Sequence, residues 1–256
     1  MKIKDIIDLH AGKTAFVVAN GPSTQKVLNK LKECSQQKDK YVVFVCNEID
    51  MMLNNIKIDL VDDINPDYWV ISNPILSVKN YHNSFNLLNK NNGKLIYAES
   101  LDFTPNPESL LEIEYLPYDQ RHFDYKNCVP FGQCCHPVTG NCSPTTRQRL
   151  TVQEELRDYT GFDKRYGSGS TVALHMLAFS ILMGCKKIYL SGIDLDYGLG
   201  YLDNKSTNCD SFMLRDIIQD FNIIQHSALC KNVEIINLSE TSPLKNIFKT
   251  IKEVNL

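Results

Sequence analysis

Six short runs in this chain are largely apolar: Thr14–Ala19, Tyr41–Cys46, Tyr68–Ser72, Lys94–Ala98, Lys187–Ser191 and Val233–Asn237. Short runs rich in Val, Ile, Tyr and Phe read as strands. Where polar residues do not alternate with the apolar ones, both faces of a strand are covered, as in a parallel sheet. Between the runs the spacing becomes helical, over Ser23–Cys34, Ser77–Asn91, Gly169–Gly184, Ser211–Leu229 and Ser242–Val254. Ser23 follows Pro22 as a helix start, and Gly184 stands where a helix ends. Strands alternating with helices predict an α/β fold, a Rossmann-like doubly wound and mainly parallel sheet with helices on both faces.

Two segments modify that picture. Residues 117–149 carry four prolines, Cys128, Cys134, Cys135, His136 and Cys142, and have no apolar periodicity. They read as an irregular insertion or small lid within a single domain spanning residues 1–256, since a long structureless stretch in a compact domain is usually functional. The cysteines and His136 could ligate zinc, but the spacing lacks two Cys-x-x-Cys pairs, and clustered free thiols are the plainer reading. At the other end, Pro243–Val254 sets Lys245, Lys249 and Lys252 beside Ile247, Phe248 and Ile251. That stripe predicts an amphipathic helix closing the domain, with peripheral contact to a membrane surface as the alternative.

Composition narrows the function classes. The 256 residues hold 27 Lys and Arg against 30 Asp and Glu, a net charge of −3, with no long basic run. Nucleic-acid phosphates need clustered cations, so small molecules are the expected partners. Charged residues from Lys4 to Lys13 interrupt the N-terminus, which therefore has no secretory apolar region. The uncharged stretch Ser168–Cys185 opens on Ser-Gly-Ser and contains His175, so it reads as a buried helix rather than a span. A cytoplasmic protein is expected, at the inner membrane face if the C-terminal stripe binds lipid. Nine cysteines are then free thiols, and the sequons at Asn141, Asn204 and Asn237 carry no weight.

Candidate chemistry gathers at the predicted strand ends. Asn20-Gly21-Pro22-Ser23 lies between a strand and a helix, where a glycine admits a close ligand and free helix N–H groups meet a phosphate. It is equally an ordinary β–α turn. Asn47 and Asn73 follow the second and third strands, and an Asn amide suits the edges of a base or the hydroxyls of ribose. Arg165 precedes Ser168-Gly169-Ser170 at the entry to the apolar helix, a pattern that suits an anion. Gly192-Ile193-Asp194-Leu195-Asp196-Tyr197 ends the fifth strand, and its two carboxylates either hold a divalent metal or serve structure.

The same motifs, with Cys46-Asn47, Asn73-Pro74-Ile75-Leu76 and Ile188-Tyr189-Leu190-Ser191-Gly192-Ile193-Asp194, resemble in order and separation those of the bacterial sialyltransferases of glycosyltransferase family 42, over about residues 14–201. The resemblance implies a CMP-sialic acid donor, a glycan acceptor, inversion at the anomeric carbon, and no metal or other cofactor. It assigns Asn20, Gly21, Ser23, Asn47, Asn73, Ser168 and Gly169 to the nucleotide, with Gly192 and Asp194 beside them, and Arg165 to the reacting centre. Of the family's two phosphate-binding tyrosines, Tyr201 matches the second. The first falls on Asp196, with Tyr197 adjacent. The family's catalytic histidine should precede Ser211, yet 204–211 holds none. The base candidates are then Asp196 and Asp210, carboxylates that need burial or a neighbouring acid to work near neutral pH.

The Gly-Ser helix entry and the 192–197 motif also resemble the MptE-like group, which contains motility accessory factors and 6-hydroxymethylpterin diphosphokinases. That likeness implies an alternative, transfer of diphosphate from ATP to a pterin alcohol with magnesium on Asp194 and Asp196. A nucleotide-binding module without catalysis is the third reading.

Overall fold

The computed structural model describes residues 3–47, 49–71, 93–99, 128–132, 171–196, 202 and 211–254. The predicted strands form β1 (Thr14–Val18), β2 (Tyr41–Cys46), β3 (Tyr68–Ile71) and β4 (Lys94–Glu99), and further along the chain β6 (Lys187–Ser191) and β7 (Glu234–Asn237). With β5 (Cys128–Gly132) and β8 (Lys249–Thr250) they make one sheet in the order β5-β4-β3-β2-β1-β6-β7-β8, every neighbouring pair parallel. The main helices are α1 (Leu28–Ser35), α2 (Ile49–Asn55), α3 (Val172–Leu182) and α4 (Ser211–Cys230).

Strand pleating divides β1 between two cores. Ala15, Val17 and Ala19 pack with α3 and α4, whereas Phe16 and Val18 pack on the opposite face with Leu28 and Leu31 of α1 and Leu53 of α2. The sheet is thus covered on both sides, as its unbroken apolar strands require. From Ala173 to Leu182 every residue of α3 is buried, including His175. Thr171 caps that helix by accepting the Leu174 N–H at 3.4 Å.

Several elements depart from the expectation. Cys128–Gly132, inside the predicted irregular segment, is a strand at the sheet edge, where Pro130 faces Tyr97 in register and its missing N–H is tolerated. The rest of 117–149 and the predicted helix Ser77–Asn91 lie outside the described residues. The C-terminal helix is absent. Pro243–Asn246 is a single 3-10 turn capped by Ser242, and the chain then pairs as β8 with β7. Leu244 and Phe248 are buried at helical spacing, but the open edge of β7 competes for the backbone: Asn237 O accepts the Ile251 N–H at 3.1 Å. Near the start, Ser23 lies in a 3-10 turn (Pro22–Lys26), and α1 begins only at Leu28.

At the amino ends of the strands, the N–H groups of Asp8, His10 and Gly12 bond the carbonyls of Leu182, Met183 and Gly184, closing the C-terminal end of α3. His10 Nε2 lies 2.8 Å from the Tyr68 hydroxyl, with the rings edge to face. Burial pushes the Tyr68 hydroxyl up, so it keeps its proton, and the tautomer of the His10 ring decides which of the two donates. Burial, then the charges of Lys13 and Lys94, pushes His10 down to about 4. A folded value below the unfolded one makes this contribution complete above roughly pH 6.5 and lost as pH falls toward 4. Allowing for the ring's partial exposure, the loss is about 1–2 kcal/mol. Urea midpoints should therefore fall between pH 7 and pH 4.5 more steeply for the wild-type chain than for His10→Gln. Parallel pH profiles would refute the assignment.

Candidate functional site at the β1–β6 switch point

Strand order grows outward from β1 to β5 and then restarts on the other side of β1 with β6. The helices that follow β1 and β6, α1 and α4, therefore pack on opposite faces of the sheet, which marks the carboxyl ends of these strands as the general ligand position of open parallel sheets. The motifs Asn20–Ser23 and Gly192–Asp196 flank it. Asn47 stands beside them: Asn20 and Asn47 each lie two residues past the paired Val18 and Val45.

The two loops are stitched to each other. Ala19 N–H donates to Ser191 O at 2.8 Å, Gly21 N–H to Gly192 O at 2.8 Å and Gly192 N–H to Ser23 Oγ at 2.9 Å. Thr24 Oγ1 donates to Ala19 O at 2.6 Å. A Cβ at Gly21 would fall on Asp194 Oδ2 and Gly192 O, and one at Gly192 would fall on Ala19 O and Thr24 Oγ1. Gly192 also holds φ at +71, a conformation that costs an L side chain. These glycines admit the opposite loop. The expected phosphate cradle is filled from within: Gly21, Ser23 and Thr24 N–H groups have acceptors in Gly192 O, Asp194 Oδ2 and Gly21 O. What the turn offers outward is the half-exposed side chain of Asn20.

Asp194 is buried, and each carboxylate oxygen is engaged. Oδ2 accepts the Ser23 N–H at 3.0 Å, and Oδ1 accepts the Ser239 hydroxyl. Ser239 belongs to the loop after β7, which Ser242 Oγ ties back to Ile193 O at 2.8 Å. One carboxylate thus joins the loops after β1, β6 and β7. Leu195, at φ +54, turns the backbone past it, and Asp196 is exposed. Among the described residues no group of three or more His, Cys, Asp or Glu could hold a metal ion.

Asn47 sits at φ +41, a left-handed position that Asn tolerates, and its carbonyl accepts Trp69 Nε1–H at 2.7 Å. Asn20 O accepts the N–H of the buried Leu202 at 2.7 Å, and Asn20 Oδ1 accepts the Cys46 thiol at 3.6 Å. The structure therefore brings Asn20, Gly21, Ser23, Asn47, Gly192 and Asp194 to one end of the sheet. Asn73, Arg165, Ser168, Gly169, Tyr197, Tyr201 and Asp210 lie outside the described residues, as do the zinc candidates Cys134, Cys135, His136 and Cys142.

In architecture and coverage the chain matches two solved sialyltransferase structures. The sialyltransferase CstII from Campylobacter jejuni, in complex with a substrate analogue, cytidine-5'-monophosphate, superposes with a TM-score of 0.51 at 17% identity, covering 96% of this chain and 88% of that one. A variant of the sialyltransferase CST-II in complex with CMP gives a TM-score of 0.50 at 16% identity, with 96% and 88% covered. The fold is sialyltransferase-like. No family model and no curated protein matches the sequence.

Within this sialyltransferase-like sheet, sequence reasoning missed Ser239 and Ser242, whose partners Asp194 and Ile193 lie far along the chain, and Thr24, whose hydroxyl closes the turn on Ala19 O. A signal was present at Asn237-Leu238-Ser239, read only as a sequon. Asn237 is fully buried: Nδ2 donates to Ser239 O at 2.7 Å and to Thr250 Oγ1 at 3.1 Å, and Oδ1 accepts the Ser239 N–H. Its amide braces the loop that carries Asp194's partner.

Proposed function

We propose that this chain is a glycosyltransferase that moves sialic acid or a related nonulosonate from a CMP donor to a glycan acceptor. The observation carrying the reading is the switch point, where Asn20 and Asn47 stand on adjacent strand ends of a sheet shared with sialyltransferases solved with CMP. Amides at these positions suit the base and ribose of a nucleotide. The resemblance in motifs points the same way and adds Asn73 to the nucleotide.

The reaction is displacement at the anomeric carbon, with CMP leaving. Its main demand is stabilisation of the departing phosphate's charge, which falls to Arg165, the helix entry at Ser168-Gly169, and Tyr201, with Tyr197 beside the first tyrosine position. Because the turn after β1 spends its N–H groups internally, the phosphate belongs on that helix-entry side. Removal of the acceptor proton falls to Asp196, with Asp210 the second candidate. The diphosphokinase reading asks Asp194 and Asp196 to share magnesium. Asp194 gives its oxygens to Ser23 and Ser239, and this favours the transferase.

Calorimetry with CMP, CDP, UDP, GDP and ATP, each with and without magnesium, tests the reading. CMP is expected to bind without metal, and Asn47→Ala and Asn73→Ala to weaken it by about tenfold each, the loss of one or two hydrogen bonds. ATP binding that requires magnesium, with no CMP binding, would transfer the assignment to the diphosphokinase. With CMP binding established, Asp196→Asn should lower transfer far more than CMP affinity. Full transfer rates in both Asp196→Asn and Asp210→Asn would remove the carboxylate base.

A further inference from the structure

The half-exposed Asn20 amide meets a group that no ligand supplies. Cys46 ends β2, is 1% exposed, and places Sγ 3.6 Å from Asn20 Oδ1. A thiol carries one proton and is a weak donor, whereas an amide offers an acceptor on one side and two donors on the other. Burial pushes the Cys46 thiol up to about 12, so the proton stays on sulfur at any working pH. The Asn20 backbone is fixed as well, because its carbonyl accepts the Leu202 N–H. Among the described residues none accepts a hydrogen bond from Asn20 Nδ2.

We propose that Cys46 is a positioning residue for ligand recognition: its thiol holds Asn20 Oδ1, leaves the Nδ2 protons to a ligand beyond the strand ends, and so makes the ligand atom opposite Asn20 a hydrogen-bond acceptor. The ligand group is then a carbonyl oxygen, an unprotonated ring nitrogen or a phosphate oxygen. A ring N–H at that place is rejected, because it meets N–H protons with no acceptor between them. Without the thiol, the amide turns to suit either kind of group. Cys46 thus narrows specificity without touching the ligand. This inference rests on the nucleotide reading of the site.

The test pairs a binding series with a spectroscopic one on the full chain. CMP and UMP affinities are measured for wild type, Cys46→Val and Cys46→Ser, each checked for folding by circular dichroism. Cys46→Val, which keeps the bulk and removes the donor, is expected to weaken CMP about fivefold, and Cys46→Ser to restore it to within about twofold. In an Asn20→Ala background Cys46→Val should have no further effect on CMP, since the two residues act as one unit. Additive losses, or a Ser variant no better than Val, would overturn the proposal. In the infrared, the S–H stretching band that disappears in Cys46→Val should shift to higher frequency in Asn20→Ala, because the hydrogen bond that softens it is gone. If wild type does not bind CMP, the nucleotide-sugar reading fails while this band still decides the role of Cys46. A shifted band supports the thiol–amide bond, and an unmoved band overturns it.

Discussion

Alanine at position 192 is expected to cost about 4 kcal/mol of folding stability, or to leave the chain insoluble, from one added methyl group. Two penalties combine. The backbone there is left-handed, at φ +71, and the new Cβ would sit on Ala19 O and Thr24 Oγ1. Ala19 is the last buried residue before the β1 turn, and its carbonyl already accepts the Thr24 hydroxyl, so neither atom can yield without opening the β1–β6 junction. Alanine at Gly12, also at positive φ but with open space around its Cβ, is the control, and should cost only the conformational part, about 1 kcal/mol. Chemical denaturation of the two variants reads the difference. Equal midpoints would mean that the loops do not approach as closely as described.

The second large effect is at Asp194. Alanine there leaves the buried Ser23 N–H and the Ser239 hydroxyl without their acceptor, at about 3 kcal/mol, which for a chain of this size lowers Tm by roughly 10 °C. Asp194→Asn keeps one oxygen for Ser23 and can donate to Ser239 Oγ, so it should lose about a third as much. Thermal melts of the pair, without ligand, separate a brace from a ligand-binding carboxylate. If Asp194→Ala melts with wild type and only ligand affinity changes, the acid belongs to the ligand.

The sheet was legible because its strands declare themselves locally. TAFVV, YVVFVC and KIYLS are buried on both faces and need no polar alternation, so five or six adjacent letters carry the information. The apolar helix α3 was legible for the same reason. What failed was any feature decided by competition between distant parts. Leu244, Ile247, Phe248 and Ile251 have helical spacing, but the unpaired edge of β7 captured the backbone at Lys249–Thr250. Cys128–Gly132 carries a proline and looked irregular, and only the edge position beside β4 makes it a strand.

The site shows the same division. That Asn20, Asn47 and Gly192 stand together at one end of the sheet was readable, since each follows an apolar run and the strands are parallel. The role of Asp194 was not. Asp-x-Asp left a metal site and a structural role both open, and the first of the two acids is matched to Ser23 and Ser239, 171 and 45 residues away. No local spacing announces such partners. Cys46 is a similar case, a small apolar-looking residue whose one proton matters only because Asn20 stands across the strand boundary.

The central position of β1 has a consequence for how the chain is made. Its first partner, β2, is complete by Cys46, but its second, β6, begins only at Lys187, and the carbonyls that receive Asp8, His10 and Gly12 lie at 182–184. During synthesis the growing chain therefore carries an unpaired edge of β1 for some 140 residues, the time a ribosome needs for roughly 7–30 seconds of elongation. An apolar strand with one bare edge is a template for another chain. Products that end before Ser191 keep that edge open permanently, so premature termination converts the best-formed strand of the sheet into its most adhesive one.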